Sequence, residues 1–346
     1  MFSVVIPLFN KAPYLQWTLN SVFAQSCPVD EIIVVNDGST DGGERIAKEQ
    51  RDPRVRVIDQ ANRGVSVARN VGLDAATQPY VAFLDADDVW LPGFLEKIKE
   101  MIARYPHAGL YGTGFATVRG GREVRRYGVS LREIGSEQTC EPLQGGGYKR
   151  PAFGPVDFFK VWSRRHVIHT SSAVVPRLVA LELGGFPPGV AICEDHEFWA
   201  KIALRWPVVL SPEVLTQYNV DVPGQAVEYW NGEYKKRFEV LPYHRVLAEE
   251  LKKRVFNTEA RRHGDAEGQT ERSFEKYCKK EFTKCLLQRL FWGNFQAATE
   301  FYRGLGLSEM RLGPVGFVCR WIVDHPHTHG AVSTVMRLVR RMRERF

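Results

Sequence analysis

The chain has 346 residues, 44% hydrophobic and 25% charged, and carries a formal net charge of +7. It is long enough for a large α/β domain plus a smaller second unit, and its composition is that of an ordinary soluble protein without internal repeats or low-complexity tracts. The six cysteines (Cys27, Cys140, Cys193, Cys278, Cys285, Cys319) form no C-x-x-C pair and no His/Cys group at zinc spacing, so they read as reduced thiols. No apolar stretch approaches the length of a membrane span, and the N-terminus enters a strand at once without a basic leader. These features predict a cytoplasmic protein.

In chain order, residues 2–7 read as a strand, followed by a polar turn and an amphipathic segment over 13–25. Residues 32–35 form a second buried strand running into Asn36, Asp37 and Gly38. Residues 62–72 read as a helix opened by Gly64 and carrying Arg63 and Arg69. The apolar run Tyr80-Val-Ala-Phe-Leu84 is the next strand. It ends abruptly in three carboxylates, Asp85, Asp87 and Asp88, before Pro92 and Gly93 open another helix. Strand and helix patterns alternate to about Val118, which predicts a mostly parallel sheet covered by helices.

Residues 119–154 change character: Gly120, Gly121, Gly135 and Gly145–Gly147 punctuate a polar, basic stretch that reads as an insertion or mobile loop. Order resumes at 156–162, with a strand around 171–175, a Gly/Pro loop over 184–189, a helix over 194–205 and a strand over 214–220. From about residue 228 the pattern is helical: 234–255, 273–292, 295–304 and a final helix over the tail, with a polar linker at 261–269.

Clustered aspartates at the C-terminal edge of a strand lie where open α/β sheets bind ligands. Crowded carboxylates repel one another unless a cation is present, and hard oxygen donors suit Mg²⁺ or Mn²⁺. The same residues also suit a turn that caps the following helix. Asp37, at a strand end and followed by Gly38, is placed to accept hydrogen bonds from a nucleobase edge; the alternative is an Asn-Asp-Gly-Ser turn with Ser39, Thr40 or Asp41 as the cap. Arg63 and Arg69 flank a helix start, a place that favours phosphate, although a surface salt bridge is the simpler reading of Arg63. Glu194 and Asp195 open a helix, where acidic residues complement the helix dipole in any case.

These blocks, in this order and spacing, resemble the N-terminal half of family 2 glycosyltransferases, an inverting group with a GT-A fold. The resemblance covers residues 2–90 closely and extends through Cys193-Glu-Asp195 to about 220. It implies an α/β GT-A domain over 1–225, with nucleotide-sugar binding in 1–118, acceptor binding in 155–225 and the insertion 119–154 between them. A basic helical region over 226–346 follows as a C-terminal extension. The nucleotide-sugar contacts it implies fall on Pro7, Phe9, Asn10, Asp37 and Gly38, and on Arg63, Gly64, Arg69, Asp85 and Ala86. Asp87 would be the direct ligand of Mn²⁺ or Mg²⁺, with Asp85 meeting the ribose or a metal-bound water and Asp88 behind them. Asp195 would be the general base, with Glu194 beside it. The donor implied is a nucleoside diphosphate sugar, UDP-linked by preference, and the acceptor a glycan or lipid-linked hydroxyl in cell-surface polysaccharide or glycoconjugate synthesis.

Competing enzyme classes lack their marks. A nucleotidyltransferase carries a Gly-rich basic loop where this chain has Pro7-Leu-Phe-Asn10, and neither G-x-G-x-x-G nor a Walker A motif follows the first strand. A catalytically silent nucleotide-sugar binder is the remaining alternative, and the joint presence of Asp37, Asp85, Asp87 and Asp195 argues against it. Gln288-Arg-Leu-Phe-Trp292 is similar to the Q-x-x-R-W signature of processive synthases, but Phe291 stands in the arginine position, which predicts one sugar per encounter. The first hundred residues are mildly acidic and the basic excess lies after about 230. On a helix, the tail residues 337–346 separate Arg337, Arg340, Arg341 and Arg345 from Leu338, Val339 and Met342, which suits either an anionic membrane surface or packing on its own domain. No nucleic-acid module is present in the sequence, and oligomer formation is left open.

Overall fold

The computed structural model describes residues 1–134, 141–142, 148–149, 153–190 and 193–223 of an N-terminal unit, Met1–Val227, and residues 247–250, 272–280, 282, 295–305, 321–329 and 332 of a second unit, Glu228–Phe346. Strand β1 (Phe2–Leu8) is buried at every position, as a strand covered on both faces must be. It pairs in parallel with β2 (Glu31–Asp37) on one side and β4 (Tyr80–Phe83) on the other, and β2 pairs in parallel with β3 (Val55–Gln60). The order β3-β2-β1-β4 means that successive strands are added first on one side of β1 and then on the other. That reversal leaves a crevice outside the carboxyl ends of the strands, where ligands of open α/β sheets bind. Leu8, Asp37 and the turn after Phe83 all lie at this edge.

The helices are set by the apolar spacing read from the sequence. Helix α1 (Ala12–Phe23) buries Leu15, Leu19 and Val22, one stripe at intervals of three and four. Helix α2 (Gly43–Lys48) is short, and Asp41 serves the N-termini of both helices, accepting from Ala12 N at 2.7 Å and from Gly43 N at 3.0 Å. Helix α3 (Val65–Ala75) lies against β1 and β2 so closely that a Cβ on Gly72 would meet Val5 Cγ1 at 2.3 Å. After the acidic turn and the two-residue strand β5 (Val89–Trp90), helix α4 (Phe94–Arg104) buries Phe94, Leu95, Ile98, Met101 and Ile102.

The second half of the sheet departs from the parallel expectation. Strand β6 (Leu110–Arg119) forms an antiparallel hairpin with β7 (Arg122–Tyr127), so the first residues of the stretch read as a loop, 119–127, are regular structure. The cause is local: Gly120 and Gly121 adopt φ of 54° and 74°, the two positive values that a tight hairpin turn demands. Strands β8 (Glu141–Pro142) and β9 (Tyr148–Lys149) pair with each other; the rest of 135–152 lies outside the described residues. Strand β10 (Gly154–Val156) and helix α5 (Phe158–Trp162) follow.

Thr170–Ser172, expected to begin a strand, is instead a 3₁₀ turn whose residues are all buried. It opens strand β11 (Ala173–Pro176), which runs antiparallel between β4 and β6. His169 accounts for the difference: its ring accepts from Ser171 N while its backbone N donates to Ser172 Oγ, a reciprocal cap that fixes a tight turn. Helix α6 (Arg177–Glu182), helix α7 (Glu194–Ala203) and a long strand β12 (Val208–Asn219) complete the unit, and β12 pairs with β10, β6 and β5. In the second unit, helix Phe295–Gly304 buries Ala298, Phe301 and Tyr302, and residues 272–280 bury Phe274, Tyr277 and Cys278, again on helical spacing. The segment 288–292 and the basic tail 337–346 lie outside the described residues.

Candidate functional site

The acidic turn is pinned at both ends by strands, β4 before it and β5 after it, and from below by helix α1. Thr18 Oγ1 lies 2.9 Å from Ala86 O and 2.8 Å from Asp88 O, and Asp88 N donates to Asp85 O at 3.0 Å. Ala86 turns its methyl into the core beneath. The turn therefore presents its carboxylates from a fixed frame. Asp88 is fully buried; it accepts from Ser171 Oγ and from Asn219 N, and its Oδ2 lies 3.6 Å from His169 Nδ1. Burial, with the charges of Asp87 and Asp85 added, pushes the Asp88 carboxyl well above the usual range. That surplus of negative charge in a dry place is the condition a cation relieves. Among the described residues, ligand atoms of Asp85, Asp88 and His169 lie within 4.8 Å of one another, a set of two hard oxygens and one imidazole that fits a divalent ion.

Asp87, 8% exposed, pairs with a lysine: its Oδ2 is 3.1 Å from Lys11 Nζ, which also donates to Pro223 O at 3.1 Å. Asp85 is held by Arg69. That arginine, 3% exposed on helix α3, donates from Nη2 to Asp85 Oδ1 and from Nη1 to Glu194 Oε1, both at 2.7 Å. Its guanidinium carbon lies 5.0 Å from the centre of the Phe186 ring. The next residue, Asn70, clamps the same loop with two bonds, Nδ2 to Phe186 O at 2.7 Å and Phe186 N to Oδ1 at 2.8 Å. One turn of α3 thus ties the carboxylate-bearing turn of β4 to the loop and helix that carry Glu194 and Asp195.

At the head of α7, Asp195 accepts from Thr170 Oγ1 at 3.2 Å and from His196 N at 2.8 Å. Burial raises its carboxyl, but His196, His169 and Arg69 together outweigh burial and hold it below the ordinary carboxylate range. Its neighbour behaves oppositely. Burial pushes Glu194 up to about 6 against the pull of Arg69, with Asp195 adding to the rise. The two adjacent carboxylates therefore differ in charge state in mildly acidic solution. Burial holds His169 below its usual value and so neutral near pH 7. Its ring stacks on Tyr218 at 4.5 Å and tilts against Phe115 at 5.4 Å.

Residues 3–157 match the sequence family Glycosyl transferase family 2. That match lies wholly within the N-terminal unit. The uncharacterized glycosyltransferase YibD of Escherichia coli K12 is 46% identical over 101 residues, 29% of this chain and 29% of that protein. The uncharacterized glycosyltransferase EpsJ of Bacillus subtilis 168 is 37% identical over 117 residues, 33% of this chain and 34% of that protein. The matched stretch thus spans about a third of these relatives' length. Among solved structures, S. aureus TarS 1-349 in complex with UDP-GlcNAc superimposes with a TM-score of 0.63 at 18% identity, covering 97% of this chain and 88% of that one. At that identity the likeness speaks for the GT-A fold.

Within the N-terminal unit the residues singled out from the sequence take distinct places. Asp85, Arg69, Glu194 and Asp195 come together. Asp37 is buried and its carboxylate accepts from Gln60 Nε2 at 2.6 Å, Arg63 N at 2.8 Å and Gly64 N at 2.9 Å. Its visible work is to hold the start of α3, just past Gly38. Arg63 contributes a backbone N–H to that bond and leaves its side chain exposed. Asn10, at φ 51°, locks the β1–α1 turn to the next loop, accepting from Thr40 N at 2.8 Å. Pro7 is buried in β1, and Phe9 is 45% exposed at its mouth. Lys11, His169 and Ser171 carry no motif and were not marked as site residues. Lys11 had one available signal, its place directly after Asn10 in the turn at the end of β1.

Proposed function

We propose that the domain transfers a sugar from a nucleoside diphosphate sugar to an acceptor hydroxyl with inversion at the anomeric carbon. The observation that carries this reading is one buried arginine, Arg69, joining the acidic turn after β4 to Glu194 of the Glu194-Asp195 pair, so that donor-side and acceptor-side carboxylates share one rigid frame. TarS, with a similar fold, has been crystallised with UDP-GlcNAc, which favours a UDP-sugar as donor. In this reading the base and ribose occupy the crevice beyond β1 and β2, near Phe9, Asn10 and Asp37, and the diphosphate meets the turn Asp85–Asp88 and the helix start at Arg63 and Gly64.

Asp85, Asp88 and His169 are the clustered residues available to hold Mg²⁺ or Mn²⁺, with Asp87 beside them on Lys11, and the ion would neutralise the diphosphate and the charge that develops on the departing nucleoside diphosphate. Asp195, kept ionised by its neighbours, takes the acceptor hydroxyl's proton as that oxygen attacks the anomeric carbon opposite the leaving group. One C–O bond forms as the bond to the β-phosphate oxygen breaks, and no covalent enzyme intermediate is needed. Thr170 and the His196 N–H aim the carboxylate. The acceptor class proposed is a glycan or lipid-linked hydroxyl in cell-surface polysaccharide synthesis, with the basic tail holding the protein at an anionic membrane. Among the described residues no helix is long and apolar enough to cross a membrane.

Asp195→Asn tests the assignment. UDP binding should stay within about twofold while turnover falls by at least ~10²-fold, the scale of a positioned general base. Normal turnover in the variant would remove Asp195 from the chemistry.

A further inference from the structure

The side chain of Lys11 is 15% exposed and stands between two segments that the acidic turn alone does not join: Asp87 Oδ2 and Pro223 O, each 3.1 Å from Nζ. Asp87 itself is 8% exposed. Lys11 follows Asn10, whose left-handed backbone turns the chain back over the mouth of the sheet, and Asn10 is anchored to Ser39 and Thr40. The ammonium is thus carried on a fixed turn. It pairs with the carboxylate of the trio that stands beside the Asp85–Asp88–His169 cluster without being part of it. An ammonium on a four-carbon stem is a point charge that can exchange one anion for another within its reach.

Resting on the reading of this crevice as a nucleoside diphosphate site, we infer that Lys11 is the resident counter-ion of the acidic turn and a positioning residue for the donor. It neutralises Asp87 while the site holds no donor, and moves to the diphosphate oxygens when a divalent ion takes its place at the turn. Two effects of opposite sign follow, which a merely structural ion pair does not produce. Removing the ammonium favours the divalent ion, because a competing cation is gone. It disfavours the nucleotide, because a charge-assisted hydrogen bond is lost.

The test uses the full chain with Lys11→Met and Lys11→Arg. Mn²⁺ binding is read by electron paramagnetic resonance without nucleotide, and UDP binding by calorimetry at saturating Mn²⁺. The Met variant should bind Mn²⁺ about tenfold more tightly and UDP about tenfold more weakly, the scale of one close, partly screened charge pair. The Arg variant, which keeps the charge, should stay near wild type in both. A second readout uses the unmodified protein: acetic anhydride labelling of Lys11, followed by mass spectrometry, should rise with Mn²⁺ alone and fall again when UDP is added. Unchanged Mn²⁺ and UDP affinities in the Met variant, or labelling indifferent to either probe, overturn the inference while leaving the proposed function standing. A wild-type protein that binds neither Mn²⁺ nor UDP overturns the proposed function itself.

Discussion

Arg69 gives its guanidinium to carboxylates from opposite sides of the crevice while lying almost wholly out of solvent. Breaking such a pair by removing one partner leaves buried charge uncompensated and costs about 3–5 kcal/mol. Arg69→Leu should therefore lower the unfolding free energy measured in urea by about that amount. Arg69→Lys should fold but lose activity, because a single ammonium does not span both carboxylates with the geometry of a planar fork. An Arg69→Leu variant as stable as wild type would show that the two bonds carry no net weight. Glu194 supplies a pH prediction. With its carboxyl pushed up to about 6, it is ionised above that pH and protonated below it. The Arg69 bridge is complete only in the ionised form, so turnover should fall as pH drops through about 6. Asp195, held low, contributes nothing in that window. Glu194→Gln should flatten this limb of the pH–rate profile, and an unchanged limb would assign it to another group.

At the same scale, Asp85, Glu194 and Asp195 could be read from sequence because they stand at element ends in recognisable spacing. Arg69 stood out at a helix start that favours phosphate, but its partners were not legible: only the fold brings Asp85 and Glu194 to it. Lys11 and His169 were illegible for a different reason. A lone lysine in a turn and a lone histidine before Thr-Ser-Ser have no motif of their own, and each acquires its acidic neighbour from the turn Asp85–Asp88, far away in the chain.

Among the elements, strands β1, β2 and β4 were legible because their burial on both faces writes continuous apolar runs. The hairpin β6–β7 was not, since all but the last residue of β7 are exposed and its polar, basic sequence carries no alternation. Close packing at one element supports a quantitative test. Gly72 sits mid-helix in α3, where alanine would ordinarily gain about 1 kcal/mol of helix propensity. The added Cβ would meet Val5 Cγ1 at 2.3 Å in a central strand with no room to shift. Overpacking of this kind costs about 1–3 kcal/mol, so Gly72→Ala should destabilise despite the propensity gain. Val5→Ala in the same chain should recover part of the loss, and thermal unfolding of the two single variants and the double variant measures the coupling. A Gly72→Ala protein that melts above wild type would show that α3 stands farther from β1.

For the whole molecule, charge is the property most unevenly distributed. The net charge is +7, yet the crevice at the strand ends is lined by carboxylates and the first hundred residues are mildly acidic, so the basic excess falls late in the chain. Its densest run is the tail, where Arg337, Arg340, Arg341 and Arg345 alternate with Leu338, Val339 and Met342. Each basic residue near an anionic surface contributes about 1 kcal/mol, so four acting together hold a protein reversibly rather than permanently. Such an attraction should weaken as salt shortens the screening length. Full-length protein should co-sediment with phosphatidylserine vesicles at low salt, release at about 0.5 M salt, and ignore neutral vesicles. A chain ending at His329 should stay in the supernatant throughout. If both proteins pellet equally, the membrane contact lies elsewhere in the chain; if neither pellets, the tail has no role in bringing this protein to an anionic surface.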